Sequence, residues 1–223
     1  GEGGLTVNGG SLDIAENGKI FVNEGEVSFV AGETSLTKVI MDNGVTHVDK
    51  ADEGALTATG DFSISKDATL ILTDTETGLS VKSGTFTQTE GIVLNMGQTE
   101  VAGGTLELNI LKIDTAASEA TIGDVASGTF VSAQSISVPD GSLTPQAIIV
   151  AKGDLTQTEA GLVKADGEQG ITVEAEGTLN GTNLTVAGTA PESGVYSASK
   201  VVIEGVATFA ADEGGIVTVN SDG

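Results

Sequence analysis

Side chains that could do chemistry are few in this sequence. Its one imidazole, His47, sits in Val45-Thr46-His47-Val48-Asp49, where a strand would put Asp49 on the same side as His47. A catalytic pair would also need a nucleophile and an orienting acid, and the sequence contains no Gly-x-Ser-x-Gly elbow, phosphate loop or His-Glu-x-x-His zinc motif. His47 therefore reads as an exposed or corner residue. Carboxylates are abundant, 32 in all, so some pairs must fall at a spacing suited to glycan hydrolysis. Such a site would want aromatic platforms and Arg clamps; the chain has no Trp, one Tyr and no Arg. The acids read as a solvated surface, and no catalytic function is expected.

Calcium is the best cofactor candidate. The turns Asp42-Asn43-Gly44, Asp52-Glu53-Gly54, Asp140-Gly141, Asp166-Gly167-Glu168 and Asp212-Glu213-Gly214 offer carboxylates beside backbone carbonyls. Ca²⁺ takes six to eight such oxygens. Asp42, Asp52, Asp140, Asp166 and Asp212 are thus the candidate ligands, although Asp-Gly and Asp-Asn-Gly also make turns without any metal.

The charge balance limits the partners. All nine basic residues are Lys, and the formal net charge is −23. Nucleic acid needs a cationic face that releases phosphate counterions, and anionic lipid would repel this chain, so neither is expected as a partner. No apolar run approaches the roughly 20 residues that cross a bilayer. With no Cys, disulfides and thiolate metal sites are excluded.

The elements that would position these groups are short strands. Alternating apolar pairs occur at Leu5/Val7, Leu12/Ile14, Ile20/Val22 and Val27/Phe29, and Gly or Asn marks the junctions between them. The same beat returns at Phe62/Ile64 and Leu70/Leu72, and in Gly78, Gly84, Gly91, Gly97 and Gly104. Glycine at nearly every beat rules out a coiled-coil heptad. Four residues of strand and about three of corner make one side of a polygon, and three sides make a rung of roughly 21 to 24 residues. The expected fold is all-β, a β-solenoid of roughly nine or ten rungs. Tandem antiparallel β-sandwiches are the alternative. Gly84-Thr-Phe-Thr-Gln-Thr-Glu-Gly91 and Gly153-Asp-Leu-Thr-Gln-Thr-Glu-Ala-Gly161 share a Thr-Gln-Thr-Glu core, a weak internal repeat.

Residues 1–223 read as one domain. The beat breaks from Thr34 to Glu53 and from Asp114 to Ser127, and both stretches are expected to project from the stack as loops.

Runs such as Gly9-Gly10-Ser11-Leu12-Asp13-Ile14, Gly103-Gly104-Thr105-Leu106-Glu107-Leu108 and Gly177-Thr178-Leu179-Asn180 resemble the passenger domains of autotransporter adhesins and filamentous-haemagglutinin-type secreted proteins. That resemblance implies that the solenoid is a right-handed parallel β-helix, and that the chain is a non-catalytic, extracellular adhesin or stalk at a bacterial surface. Its partner would be a host or neighbouring-cell receptor or glycan, or copies of itself. A self-assembling structural protein, such as a phage fibre, capsid decoration or surface-layer unit, is the second reading. A glycan-degrading β-helix enzyme is the third.

Overall fold

The computed structural model describes residues 77–158, 160–186 and 195–209, residue 75, and the strands Leu5–Asn8, Ile20–Val22, Glu26–Ala31, Thr34–Met41, Val45–Val48, Leu56–Ile64, Thr69–Leu72 and Val217–Val219. The chain is all-β, and its described residues include one short 3₁₀ helix, at Glu119–Asp124. Among the described strands every pairing is parallel, within one large sheet. Antiparallel sandwiches are thereby set aside.

Parallel register links strands about 19 to 24 residues apart in much of the chain, as in Leu5↔Val27, Val45↔Thr69, Phe62↔Phe86 and Leu56↔Leu79. The pairings sort into three ladders. The first runs through Leu5–Asn8, Glu26–Ala31, Val45–Val48, Thr69–Leu72 and Ile92–Asn95. A second passes through Ile20–Val22, residues 39–41, 62–64 and 86–88, then residues 105–108 and 142–145. The third joins residues 34–36, 56–58, 79–81, 99–100 and 136–137.

Two stretches expected to project behave differently. Thr34–Met41 and Val45–Val48 are strands of these ladders, not a loop. Polar residues such as Lys38 and His47 do not interrupt a ladder, because main-chain hydrogen bonds carry it. Residues 49–53 lie outside the described residues. The chain does leave the ladders after Asp114, and that excursion contains the 3₁₀ helix.

The excursion ends with a departure from chain order. Thr129–Ser132 lies between Ile92–Asn95 and residues 110–113, pairing in parallel with both. The first ladder therefore stacks Leu70, Val93, Phe130, Leu111, Ile148 and Ile171, with 130 ahead of 111. A second return follows the same rule: Val195–Ala198 lies between Leu162–Ala165 and Leu184–Val186. In each case the chain moves up two strand positions and then comes back to fill the gap.

The six side chains of the Leu70 to Ile171 stack are at most 1% exposed. At about 1.5–3 kcal/mol for each fully buried large aliphatic or aromatic side chain, this stack is a main source of stability. Both returning strands bring a large ring inward at their second residue. Phe130 meets Phe86 edge-on at 6.2 Å, and Tyr196 meets Phe209 edge-on at 5.9 Å. The Tyr196 hydroxyl donates to the carbonyls of Leu155 and Asn180, at 3.1 and 2.9 Å.

Candidate functional site

The excursion does not stand free. Ile71, Leu94 and Val131 are in register on neighbouring strands and are buried outside the main core. Ala117, Ile122 and Val125 of the excursion, with Met96, pack over them. This satellite cluster explains why strict alternation fails in Thr69–Leu72 and Ile92–Asn95, each of which has three consecutive buried residues. Consecutive side chains point to opposite faces, so both faces of the sheet are covered here.

The first return also shapes a corner. Beyond Leu108 the chain enters the first ladder at Ile110, whose partner beneath is Thr129, not Ile92. Gly128 fills the level between. Its N–H donates to the Gly91 carbonyl at 2.6 Å, and its own carbonyl accepts from the Ile110 N–H at 3.0 Å. Its φ of +82° suits glycine, and a Cβ there would lie 2.5 Å from Asn109 Nδ2. A cleft of about 230 Å³ near this corner is lined by Gln88, Thr89, Glu107, Leu108, Asn109 and Gln146. A second cleft of about 310 Å³ shares Asn109 and Gln146 and continues past Gly167 to Glu168 and Gln169.

Gln88 is fully buried and shares the inward face of its strand with Phe86. Its Nε2 donates to the Gly91 carbonyl at 3.3 Å, which fixes the amide, while its Oε1 has no hydrogen-bond partner. An unpaired buried acceptor costs about 1–3 kcal/mol. Gln157, the matching residue of the Thr-Gln-Thr-Glu repeat, is buried in the same way. There the Oε1 is used, accepting from the Thr182 N–H and hydroxyl at 3.1 Å each, and Nε2 is left over. The repeat therefore marks an inward glutamine at a strand end. Sequence reasoning gave it no role, although the alternation of Phe86 with Gln88 put both on one face.

The predicted calcium ligands are not gathered into a site. Asp42, Asp52 and Asp212 lie outside the described residues. Asp140 closes its own turn by accepting the Gly141 N–H at 2.8 Å, and Asp166 pairs with Lys164 at 2.6 Å. Among the described residues no three His, Asp or Glu side chains come together as a metal centre would need. His47 is placed only by register, between Ser28 and Ile71.

Surface charges alternate along one column, where Asp114 registers with Lys152 and Lys152 with Glu176. Partial burial pushes the Asp114 carboxyl up. The Lys112 ammonium at 2.9 Å, the Ala116 N–H and the Lys152 charge outweigh that and hold it below its ordinary value. Lys152 is raised by its hydrogen bond to Glu176 at 2.8 Å. Exposed pairs of this kind add little stability and serve mainly to neutralise part of an acidic surface.

Comparison with protein-family models, with curated proteins and with solved structures gave no match.

Proposed function

We propose that this chain is a segment of a bacterial surface adhesin or stalk. In this reading the ladders are the sides of a right-handed parallel β-helix, which carries contacts on its outer faces and performs no catalysis. The observation that supports it is the parallel register of three ladders, whose partners recur about every 19 to 24 residues over much of the chain. Repetition of this kind grows a core along an axis, with each layer adding about 4.8 Å, and turns chain length into reach. The acidic surface keeps such a rod soluble and resists random association.

The experiment is surface display. A non-adherent bacterium carrying the chain on an inert anchor should gain adherence to host cells, sibling cells or matrix-coated wells. Soluble chain should compete that adherence away. A folded, displayed chain that confers no adherence to any of these surfaces would overturn the reading. Shortening of a polysaccharide on incubation with the purified chain would overturn its non-catalytic part.

A further inference from the structure

We infer that the layer formed by Val201–Ile203, Val206–Phe209 and Val217–Val219 is a stacking surface for a second copy of this chain, joined head to tail through Leu5–Asn8 and Ile20–Val22. This goes beyond the adhesive reading and does not depend on it.

The layer leaves the core uncapped. Val201–Ile203 rests on residues 171–173, Val206–Phe209 on residues 178–181 and Val217–Val219 on Leu184–Val186. Among the described strands, none of the three has a partner on its other side. Ile203 tops an inward column in which Ile113, Val150 and Val173 are fully buried, yet it is itself 45% exposed. Val206 is 57% exposed, and no other large apolar side chain among the described residues stands as open as these two. Val201, Ala207 and Phe209 of the same layer pack on the core and are only partly buried. An edge of this kind offers free N–H and C=O groups to a further strand, and a stack of repeats needs a polar cap where no layer follows.

Register sets what fits there. The first ladder ends inward on Val201 and Ile203, and the second reaches Val217 by way of residues 163, 196 and 184. At the opposite end Leu5, Val7 and Ile20 hold the same register positions, heading the columns that pass through Leu70, Leu72 and Phe86. Leu5–Asn8 and Ile20–Val22 also have a partner on one side only among the described strands. All described pairings are parallel, so the chain runs the same way at both ends. A copy translated along the stack would pair in parallel on two ladders at once, with Leu5 over Val201, Val7 over Ile203 and Ile20 over Val217. Two like ends would meet antiparallel, unlike any described layer. Contact between unlike ends does not close on itself, so copies would add into a filament. The net charge of −23 opposes this contact, and salt screens the repulsion.

The test is sedimentation of the 223-residue chain over a concentration series, in about 0.1 M and about 1 M salt, where screening lengths are about 10 and 3 Å. The mass should climb past that of a dimer, and climb further in high salt. Ile203→Lys blocks one end and Leu5→Lys the other. Each should raise the concentration needed for association by about tenfold or more, because burying an unpaired ammonium against apolar side chains is costly. Ile203 is half-exposed, so its variant should keep the thermal midpoint of the parent chain. Mixed in equal amounts, the two variants should form a dimer and stop there, since only one pair of intact ends remains. A chain that is monomeric at every concentration would overturn the inference and leave the layer to another occupant, a further segment of polypeptide or a different protein. Association that survives both variants would place the contact on the sides of the stack, and association lost with one variant alone would mean that like ends meet. Either result would overturn head-to-tail joining.

Discussion

A pair of cysteines placed at Leu94 and Val131 should oxidise to a disulfide, whereas a pair at Leu94 and Lys112 should not. The order of strands in the first ladder decides this. Val131 is the register partner of both Leu94 and Lys112, which places one strand spacing between members of each pair and two between Leu94 and Lys112. Neighbouring strands lie about 4.8 Å apart, so the two-step separation is about 9.6 Å. Disulfides need Cα atoms about 4.4–6.8 Å apart. If the chain climbed in simple sequence order, 94 and 112 would be neighbours and the outcome would invert. The chain has no cysteine of its own, so thiol titration and peptide mass spectrometry after oxidation are unambiguous. Closing the loop of roughly 38 residues from 94 to 131 should raise stability by about 4 kcal/mol in the chain-entropy treatment. The loss of two apolar side chains from the satellite cluster offsets part of this. A 94–112 disulfide formed in good yield, with none at 94–131, would refute the returning strand.

Phe130→Ala should cost about 3–5 kcal/mol in a denaturant titration, because the ring is fully buried against Phe86 and the strand that carries it is held between two others. Gly78→Ala would set a Cβ on the Asn95 amide, which is tied to Thr99, Gln98 and Gly97. Displacing that network should cost about 2 kcal/mol, while Gly123→Ala, with open space around it, should be near neutral in the same thermal scan. Burial lifts the Tyr196 phenol far above its ordinary value of 10.0. A raised folded value means its contribution to stability is whole below pH about 10 and is lost as pH rises beyond it. As the only tyrosine, with no tryptophan to interfere, Tyr196 should give phenolate absorbance in alkali only as the protein unfolds, and Tyr196→Phe should flatten the alkaline limb of the stability curve.

The parallel, strand-rich character was legible because its signals are local. Pairs such as Phe62/Ile64 and Leu70/Leu72, bounded by glycines at a steady interval, report strand length and corner spacing directly. What stayed hidden depends on which layers touch. Nothing in Thr129–Ser132 says that it must lie beneath residues 110–113, since both are apolar segments of similar length suited to the same face. Within 34–53, the strands Thr34–Met41 and Val45–Val48 read as a projecting loop for a related reason: Lys38 and His47 dilute the apolar signal, but ladder hydrogen bonds are indifferent to side-chain charge. Among the buried polar groups, Gln88 and Gln157 could have been found from parity, because each sits two residues after a core residue, Phe86 or Leu155. Asn95 obeys the same parity, two residues after Val93; what the sequence does not show is that Gly78 leaves room for its amide, a fact of stacking.

Strand order that departs from chain order has a consequence for how the molecule is made. A polypeptide emerging N-terminus first reaches residues 110–113 before the strand on which they rest has been synthesised. Growth by simple winding onto a finished end is impossible at that point, and again where Leu184–Val186 precedes Val195–Ala198. Each return is therefore a checkpoint in vectorial assembly, past which the stack cannot zip until some 20 more residues have arrived in the first case and about a dozen in the second. If export is drawn forward by folding outside the cell, these two places are where it should hesitate.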